Sequence, residues 1–337
     1  MARAPRTFEK KDMADPHERF AHVRVLVADR DMRVATLVKR VLRSFGFSMI
    51  ETAGSGEAAL DKLRAEKFDL IITEWNMQPI NGIELVKAIR TAKEEERLRR
   101  DIPIIMLTAQ GQKEAVEQAR DSGINEFLVK PFSAHTLSHR LIQVIDKPRV
   151  FVDSPVYAGP CRRRRGALPP GEQERRGVRA LKDTAILPAN TAIRDQMGVD
   201  AAKIINEIEV KKAQSELLAA EGDFLVWAKD DIVSLEMAYG ELAKNPANQV
   251  AHAALLDVAY AIKSQAGIFG YDLGTEVGAL LVDYLTTHKE LDGNKLVVVR
   301  KHIDTISVIF RQKMKEAGQQ IGRELISSLH KLIEKLG

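Results

Sequence analysis

The residues best equipped for chemistry in this 337-residue chain gather at the ends of short apolar runs. Asp29, Arg30 and Asp31 follow VRVLVA, Glu74 follows DLIIT, Thr108 closes IPIIMLT, and Lys130-Pro131 follows FLV. Carboxylates are the ligands that a hard cation such as Mg²⁺ wants. An arginine or lysine beside a carboxylate neutralises it through charge-assisted hydrogen bonds. A second set, Tyr260, Lys263, Ser264 and Gly267, recurs at three- and four-residue steps within LLDVAYAIKSQAGIFGYDLG. It lies opposite an apolar stripe of Leu255, Val258, Ala259, Ile262, Ala266 and Phe269. An aromatic on a helix's non-core face, with a lysine and small residues beside it, marks a surface that another protein approaches closely.

The elements that must carry these groups divide the chain. Residues 1–20 are polar and read as a disordered arm. Over residues 21–146, buried-strand runs (Val23–Ala28, Asp69–Thr73, Ile102–Thr108, Phe127–Val129) alternate with amphipathic segments such as Val34, Leu37, Val38, Val41, Leu42 and Phe45. Strands apolar on both faces, alternating with helices, predict an α/β domain: a doubly wound parallel sheet covered on both sides. In such folds the site lies at the carboxyl ends of the strands. Residues 147–200, with Pro148, Pro155, Pro160, Pro169, Pro170 and the run Arg162–Arg165, read as an extended, mobile basic linker. From Ala201 to Gly337 only helical patterns follow, so the second domain is expected to be all-α.

The segment FDLIITEWNMQPINGIELVKAIR, with the later MLTA and FLVKPF, closely resembles a response-regulator receiver domain of the chemotaxis-regulator type, over residues 22–146. The resemblance implies a five-stranded, flavodoxin-like sheet. It also implies a pocket in which two acids after strand one and an aspartate after strand three bind Mg²⁺. The third aspartate accepts a phosphoryl group from phosphohistidine, and a threonine and a lysine contact the phosphate. Carried over, Asp29 matches the first acid, Arg30 replaces the second, and Glu74 stands at the phosphoacceptor position. Thr108 and Lys130 are retained, Phe127 fills the switch-aromatic position, and Trp75 and Asn76 follow the acceptor. The usual proline is displaced to Pro79, and Asn81 precedes Gly82 where aspartate is frequent. Lys130-Pro131 matches the family's cis peptide.

These departures alter the expected chemistry. A guanidinium about 4 Å from a divalent ion is repelled by roughly 8 kcal/mol at an effective dielectric of 20, an upper bound because Arg30 can swing outward. The extra methylene of Glu74 carries its carboxylate about 1.5 Å further into the pocket. In-line phosphoryl transfer needs both geometry and charge neutralisation at the acceptor. The expectation is a fixed pocket that holds Mg²⁺ weakly or not at all, with Arg30 and Lys130 neutralising Glu74. It either mimics the phosphorylated state or is inert. The alternative is a working relay protein in which Asp29 or Asp31 accepts phosphate, Asp31 replacing the missing acid if the loop bulges.

The Tyr260 face resembles the histidine-phosphotransfer domain over residues 224–312: Lys263, Ser264, Ala266, Gly267, Phe269 and Gly270 stand in that family's register. Tyr260 occupies the histidine position. The resemblance implies a four-helix bundle with helices near Asp230–Lys244, Ala251–Ile268, Leu273–His288 and Lys295–Phe310, followed by an extra terminal helix. Phosphotransfer to aspartate uses an imidazole that titrates near neutrality, whereas a phenol titrates near pH 10 and forms a stable ester. No histidyl phosphorylation is therefore expected. His252 lies two turns away, and His288 and His302 read as structural.

The remaining signals narrow the function. A single cysteine, Cys161, excludes an intramolecular disulfide and zinc-finger spacing. No secretory signal and no apolar run of membrane-spanning length are visible, so a cytoplasmic protein is expected. A net charge of +4 does not demand a polyanion. The arginine run could bind nucleic acid and make the chain an output regulator, but a solvated linker is the plainer reading. Ile321, Leu325, Leu329, Leu332 and Leu336 either pair two copies through the terminal helix or pack on its own bundle. There is no phosphate-cradling glycine loop and no kinase nucleotide box. The chain therefore reads as a non-catalytic adaptor that binds histidine kinases or receiver domains.

Overall fold

In the computed structural model, residues 16–109, 113–162, 184–315 and 320–336 are described. The chain divides into two compact units, residues 1–128 with 134–216, and residues 129–133 with 217–337. No described helix is long and apolar enough to cross a membrane.

The first unit is built on five strands, β1 (Arg24–Ala28), β2 (Met49–Ala53), β3 (Leu70–Glu74), β4 (Ile104–Thr108) and β5 (Glu126–Val129). Their order is β2-β1-β3-β4-β5, and the pairs β1–β2, β1–β3 and β3–β4 are parallel, as the alternating pattern predicts. The central strands β3 and β4 are buried at every position, which is why they read as continuous apolar runs. Around the sheet lie α1 (Met32–Ser44), α2 (Gly56–Ala65), α3 (Gly82–Arg90), α4 (Lys113–Ser122) and α5 (Ala134–Asp146). Their starts follow local capping chemistry. Asp31 accepts from the Arg33 amide at the head of α1, and Ser55 caps α2. Asn81 and Glu84 form a reciprocal capping box on α3.

The segment read as an extended linker differs. Strands β6 (Phe151–Ser154), β7 (Tyr157–Pro160) and β8 (Ala185–Leu187) form an antiparallel sheet in the order β7-β6-β8. Four arginines fix it. Arg100 grips Asp153 with two bonds of 2.6 and 2.9 Å, and Arg149 donates to the carbonyls of Asn125 and, at 2.8 Å, Cys161. Arg162 stacks 4.2 Å over the Tyr157 ring and pairs with Asp121 at 3.4 Å. Arg90, only 1% exposed, donates to Gly123 O, Ile102 O, Arg100 O and Asn125 Oδ1 and faces Phe151. Burial pushes its pKa down to about 10, still far above neutrality, so the charge is kept and spread over carbonyl oxygens. The prolines suit this short sheet because Pro155 sits in the hairpin turn and Pro160 ends a strand. Arg163–Arg165, Arg175, Arg176 and Arg179 lie outside the described residues.

Two boundaries also shift. Residues 1–15 of the expected arm lie outside the described residues, and Pro16–Phe20 is a 3₁₀ turn whose Phe20 ring stacks on Phe47 at 4.2 Å. Three helices, α6 (Ala192–Met197), α7 (Ala201–Ile204) and α8 (Glu207–Leu218), were expected to lie in the linker or the bundle. Instead the first unit extends to residue 216. The Asp146 carboxylate accepts from the Ala201 and Ala202 amides at 2.6 and 3.0 Å, and Gln214 accepts from the Ala134 amide at 2.9 Å.

The second unit holds α9 (Glu221–Lys244), α10 (Gln249–Ala266), α11 (Asp272–Thr287), α12 (Gly293–Arg311) and α13 (Gln320–Leu336). Each of α9 to α12 packs on its two neighbours around a closed four-helix bundle. One end of the core is aromatic: Phe224 stacks on Phe269 at 4.7 Å and meets Tyr271 and Phe310 edge-on or tilted. α13 packs on α12, with Leu329 buried and Gly322 against Leu273.

Replacing Arg90 with methionine would leave four acceptor oxygens short of a donor. We expect it to lower the stability of the first unit by about 3 kcal/mol, measured as the midpoint of its urea unfolding transition.

Candidate functional site

The carboxyl ends of β1, β3 and β4 deliver Asp29, Glu74 and Thr108, all buried, and Lys130 follows β5, also buried. Arg30 and Asp31 are partly exposed in the turn between β1 and α1. These are the residues the sequence placed at strand ends.

Glu74 does not project as a bare acceptor. Its Oε1 receives the backbone N–H of Trp75 at 2.6 Å and of Asn76 at 3.0 Å. Two consecutive amides pointing at one oxygen form a small anion cradle, the kind of donor pair that elsewhere holds a phosphate or oxyanion. Here the protein's own carboxylate fills it. Gly82 is the local requirement: its amide donates to Trp75 O at 2.8 Å, and a Cβ there would strike the Glu74 carbonyl oxygen.

The acidic turn after β1 is also committed. Asp29 Oδ1 accepts from the Asp31 amide at 2.9 Å. The Asp31 carboxylate caps α1 through the Arg33 amide and binds the Arg33 guanidinium at 3.0 and 3.2 Å. Among the described residues no group of three or more histidine, cysteine, aspartate or glutamate side chains is arranged to hold a metal ion. A magnesium site of the family's kind needs a set of carboxylate oxygens. Arg30 in place of one acid, and Asp31 held by Arg33, do not fit that need. Trp75 and Phe127 are half-buried against the sheet core. The Lys130-Pro131 peptide is cis, as the family resemblance implies.

In the bundle, the stripe read as core is buried at Leu255, Ala259, Ile262, Ala266 and Phe269, with Val258 half-buried. The opposite stripe is less open than expected. Tyr260 and Lys263 are half-buried, but Ser264 is buried and its hydroxyl donates back to Tyr260 O at 2.7 Å, so it does not belong to a docking face. Gly267 ends α10 as the start of a 3₁₀ turn. A Cβ on it would collide with the Pro131 ring and lie 2.9 Å from Thr275 Oγ1. The close approach anticipated at Gly267 is thus made within this unit, by the segment 129–133. The three histidines are tied into structure. His252 Nε2 lies 2.9 Å from His288 O, His288 Nδ1 3.0 Å from Tyr284 O, and His302 Nδ1 2.8 Å from Val298 O.

What sequence reading missed is the amide cradle. Its donors are backbone groups, invisible as residue types. Gly82→Ala should push the α3 start away from β3, lowering the thermal midpoint by roughly 5 °C or more, as a 1–3 kcal/mol overpacking cost predicts. Calorimetry of the two proteins checks this.

Comparison with known proteins bears on the first unit. Residues 25–142 match the family described as the response regulator receiver domain. Chemotaxis protein CheY-3 of Vibrio cholerae is 34% identical over 126 residues, 37% of this chain and 94% of that protein. Chemotaxis protein CheY of Pseudomonas aeruginosa is 31% identical over 125 residues, covering 98% of it. Among solved structures, chemotaxis protein CheY4 of Vibrio cholerae aligns at 33% identity with a TM-score of 0.33, over 36% of this chain and 98% of that one. With the sheet order and strand-end residues already in place, the chain belongs, through its N-terminal unit, to the receiver domains of two-component response regulators, of the CheY type.

Proposed function

We propose that this chain is a phosphorylation-independent signalling adaptor: a receiver whose pocket is permanently filled, joined to a phosphotransfer-like bundle that lacks its histidine. Receiver domains are signalling modules rather than enzymes, and two-component proteins are their partners. The finer reading rests on one observation, the Glu74 carboxylate seated on the Trp75 and Asn76 amides. A negative oxygen already sits where an incoming phosphoryl oxygen would have to find donors. Arg30 and Lys130 supply the compensating positive charge in this reading, since a buried carboxylate is costly without a partner. Magnesium is not part of the resting pocket.

A relay role through Asp31 loses its footing, because that carboxylate is the cap of α1 and the partner of Arg33. Asp29 spends one carboxylate oxygen on the Asp31 amide. In the bundle, Tyr260 and Lys263 remain the surface offered to histidine kinases or receivers, and Ser264 and Gly267 act as packing residues. Pairing of two copies through α13 has less support than its packing on the bundle, where Leu329 is already buried.

The test is incubation with a small-molecule phosphodonor and Mg²⁺, followed by intact-mass analysis. The wild-type chain should stay unmodified. The double substitution Arg30→Asp with Glu74→Asp restores the family's carboxylates and should acquire one alkali- and hydroxylamine-labile phosphoryl group. A labelled wild-type chain would overturn the proposal.

A further inference from the structure

Helix α12 buries two stripes of residues. Val299, Ile303, Ile306 and Phe310 share one face, and Phe310 places that face on the aromatic core. Val298, His302, Thr305 and Ile309 form a second face, all four buried, turned about 100° from the first on a helical wheel. This second face meets α11, whose Tyr284 ring lies 6.1 Å from the His302 ring. It also meets α13, which brings His330 close enough to act on His302 electrostatically. The side toward α9 is separate: there Arg300 pairs with Glu236 and with Asp304.

A titratable ring stands at the centre of that second face. His302 is fully buried, and its Nδ1 lies 2.8 Å from Val298 O. A carbonyl oxygen only accepts, so Nδ1 carries the proton and Nε2 of the neutral ring is a bare lone pair. Nε2 is buried without a hydrogen-bond partner among the described residues, and so is Tyr284 Oη. Proton uptake at Nε2 therefore places a cation and a new N–H where no acceptor meets them. Burial holds the His302 pKa below its ordinary 6.5 despite the Val298 bond, and His330 adds to the effect. The Tyr284 phenol, pushed up by burial and by Asp292, is neutral in this range. The other ionisable groups on this side are Glu276 of α11 and Arg323, Lys331 and Glu334 of α13. They line an open groove with His330, where water and salt screen them.

α13 is the element that yields first. Among its described residues Gly322 and Leu329 are buried, whereas Leu325, Ile326, Leu332 and Ile333 are only half-buried. A helix with so little of its apolar face enclosed opens at a lower free energy than the bundle it leans on.

We propose that α13 is an acid-released latch: it packs on α12 while His302 is neutral, and proton uptake by His302 drives it off, uncovering the face of Val298, Thr305 and Ile309. The direction follows from linkage. Above pH 6.5 neither the docked nor the released form protonates His302, and docking is at full strength. Below it the released form takes a proton that the docked form refuses, so docking weakens as pH falls, by about tenfold per pH unit. Glu221 and Asp292, whose pKa values Lys315 and the start of α12 hold low, keep their charge through this window.

The experiment is hydrogen exchange of the full chain, read by mass spectrometry at about pH 7.5 and about pH 5.5, with each rate divided by its intrinsic rate at that pH. Protection over α13 should fall about tenfold between the two, while α9 and α10 stay protected. His302→Phe, which fills similar space and cannot ionise, should show equal α13 protection at both pH values. His302→Gln makes the same comparison with a smaller side chain, and circular dichroism verifies that each variant is folded. Wild-type α13 protection that ignores pH would overturn the proposal. So would a fall that persists in the His302 variants, which places the titration elsewhere, or one shared equally by α9 and α10, which is general acid unfolding.

Discussion

A carboxylate resting on two backbone amides of its own chain organises the receiver pocket. In a phosphate-accepting pocket those amides are spare donors, held in reserve for an oxygen that arrives and leaves. Here Glu74 Oε1 accepts from both. That seat constrains its surroundings: β3 must end at Glu74, the following turn must bring two N–H groups inward, and Gly82 must let the next helix pass close to the Glu74 carbonyl. The same economy appears after β1, where Asp29 and Asp31 are consumed by a turn amide, a helix cap and Arg33. In the structure these carboxylates help to close local structure.

Much of this was legible in residue types. Continuous apolar runs gave β1, β3 and β4, and the groups immediately following them gave the pocket. β2 carries Glu51 and Thr52 between apolar positions, so it stood out less. The substitutions at Arg30 and Glu74 were visible as soon as a receiver frame was laid on the chain. What they do in the pocket was less visible, because the decisive donors are backbone amides. The bundle's four helices were legible from their period, with α9 starting earlier than expected and α10 ending two residues sooner, at Ala266. Ser264 misled the reading, since a small polar residue on a helix looks the same whether it faces solvent or spends its hydroxyl on the preceding turn.

The sheet β6–β8 escaped because its stability is not local. Strands of three or four residues bounded by prolines bury little of their own surface, and β8 is exposed along its length. They hold their place through bonds from Arg100 to Asp153 and from Arg149 to Asn125 and Cys161, with Arg90 facing the Phe151 ring. Periodicity has no access to such bonds. A basic, proline-containing segment is therefore compatible either with a solvated linker or with an arginine-stapled hairpin, and composition alone does not choose.

The occupied cradle is tested most directly by the fluorescence of Trp75, whose amide bonds to Glu74 and whose ring lies half-buried beside the pocket. With Trp227 replaced by phenylalanine, Trp75 becomes the single tryptophan reporter. The account predicts that titration with Mg²⁺ into the millimolar range leaves its emission unchanged beyond the effect of matched ionic strength. A saturable, Mg²⁺-specific quench would show a pocket open to the metal and would contradict it.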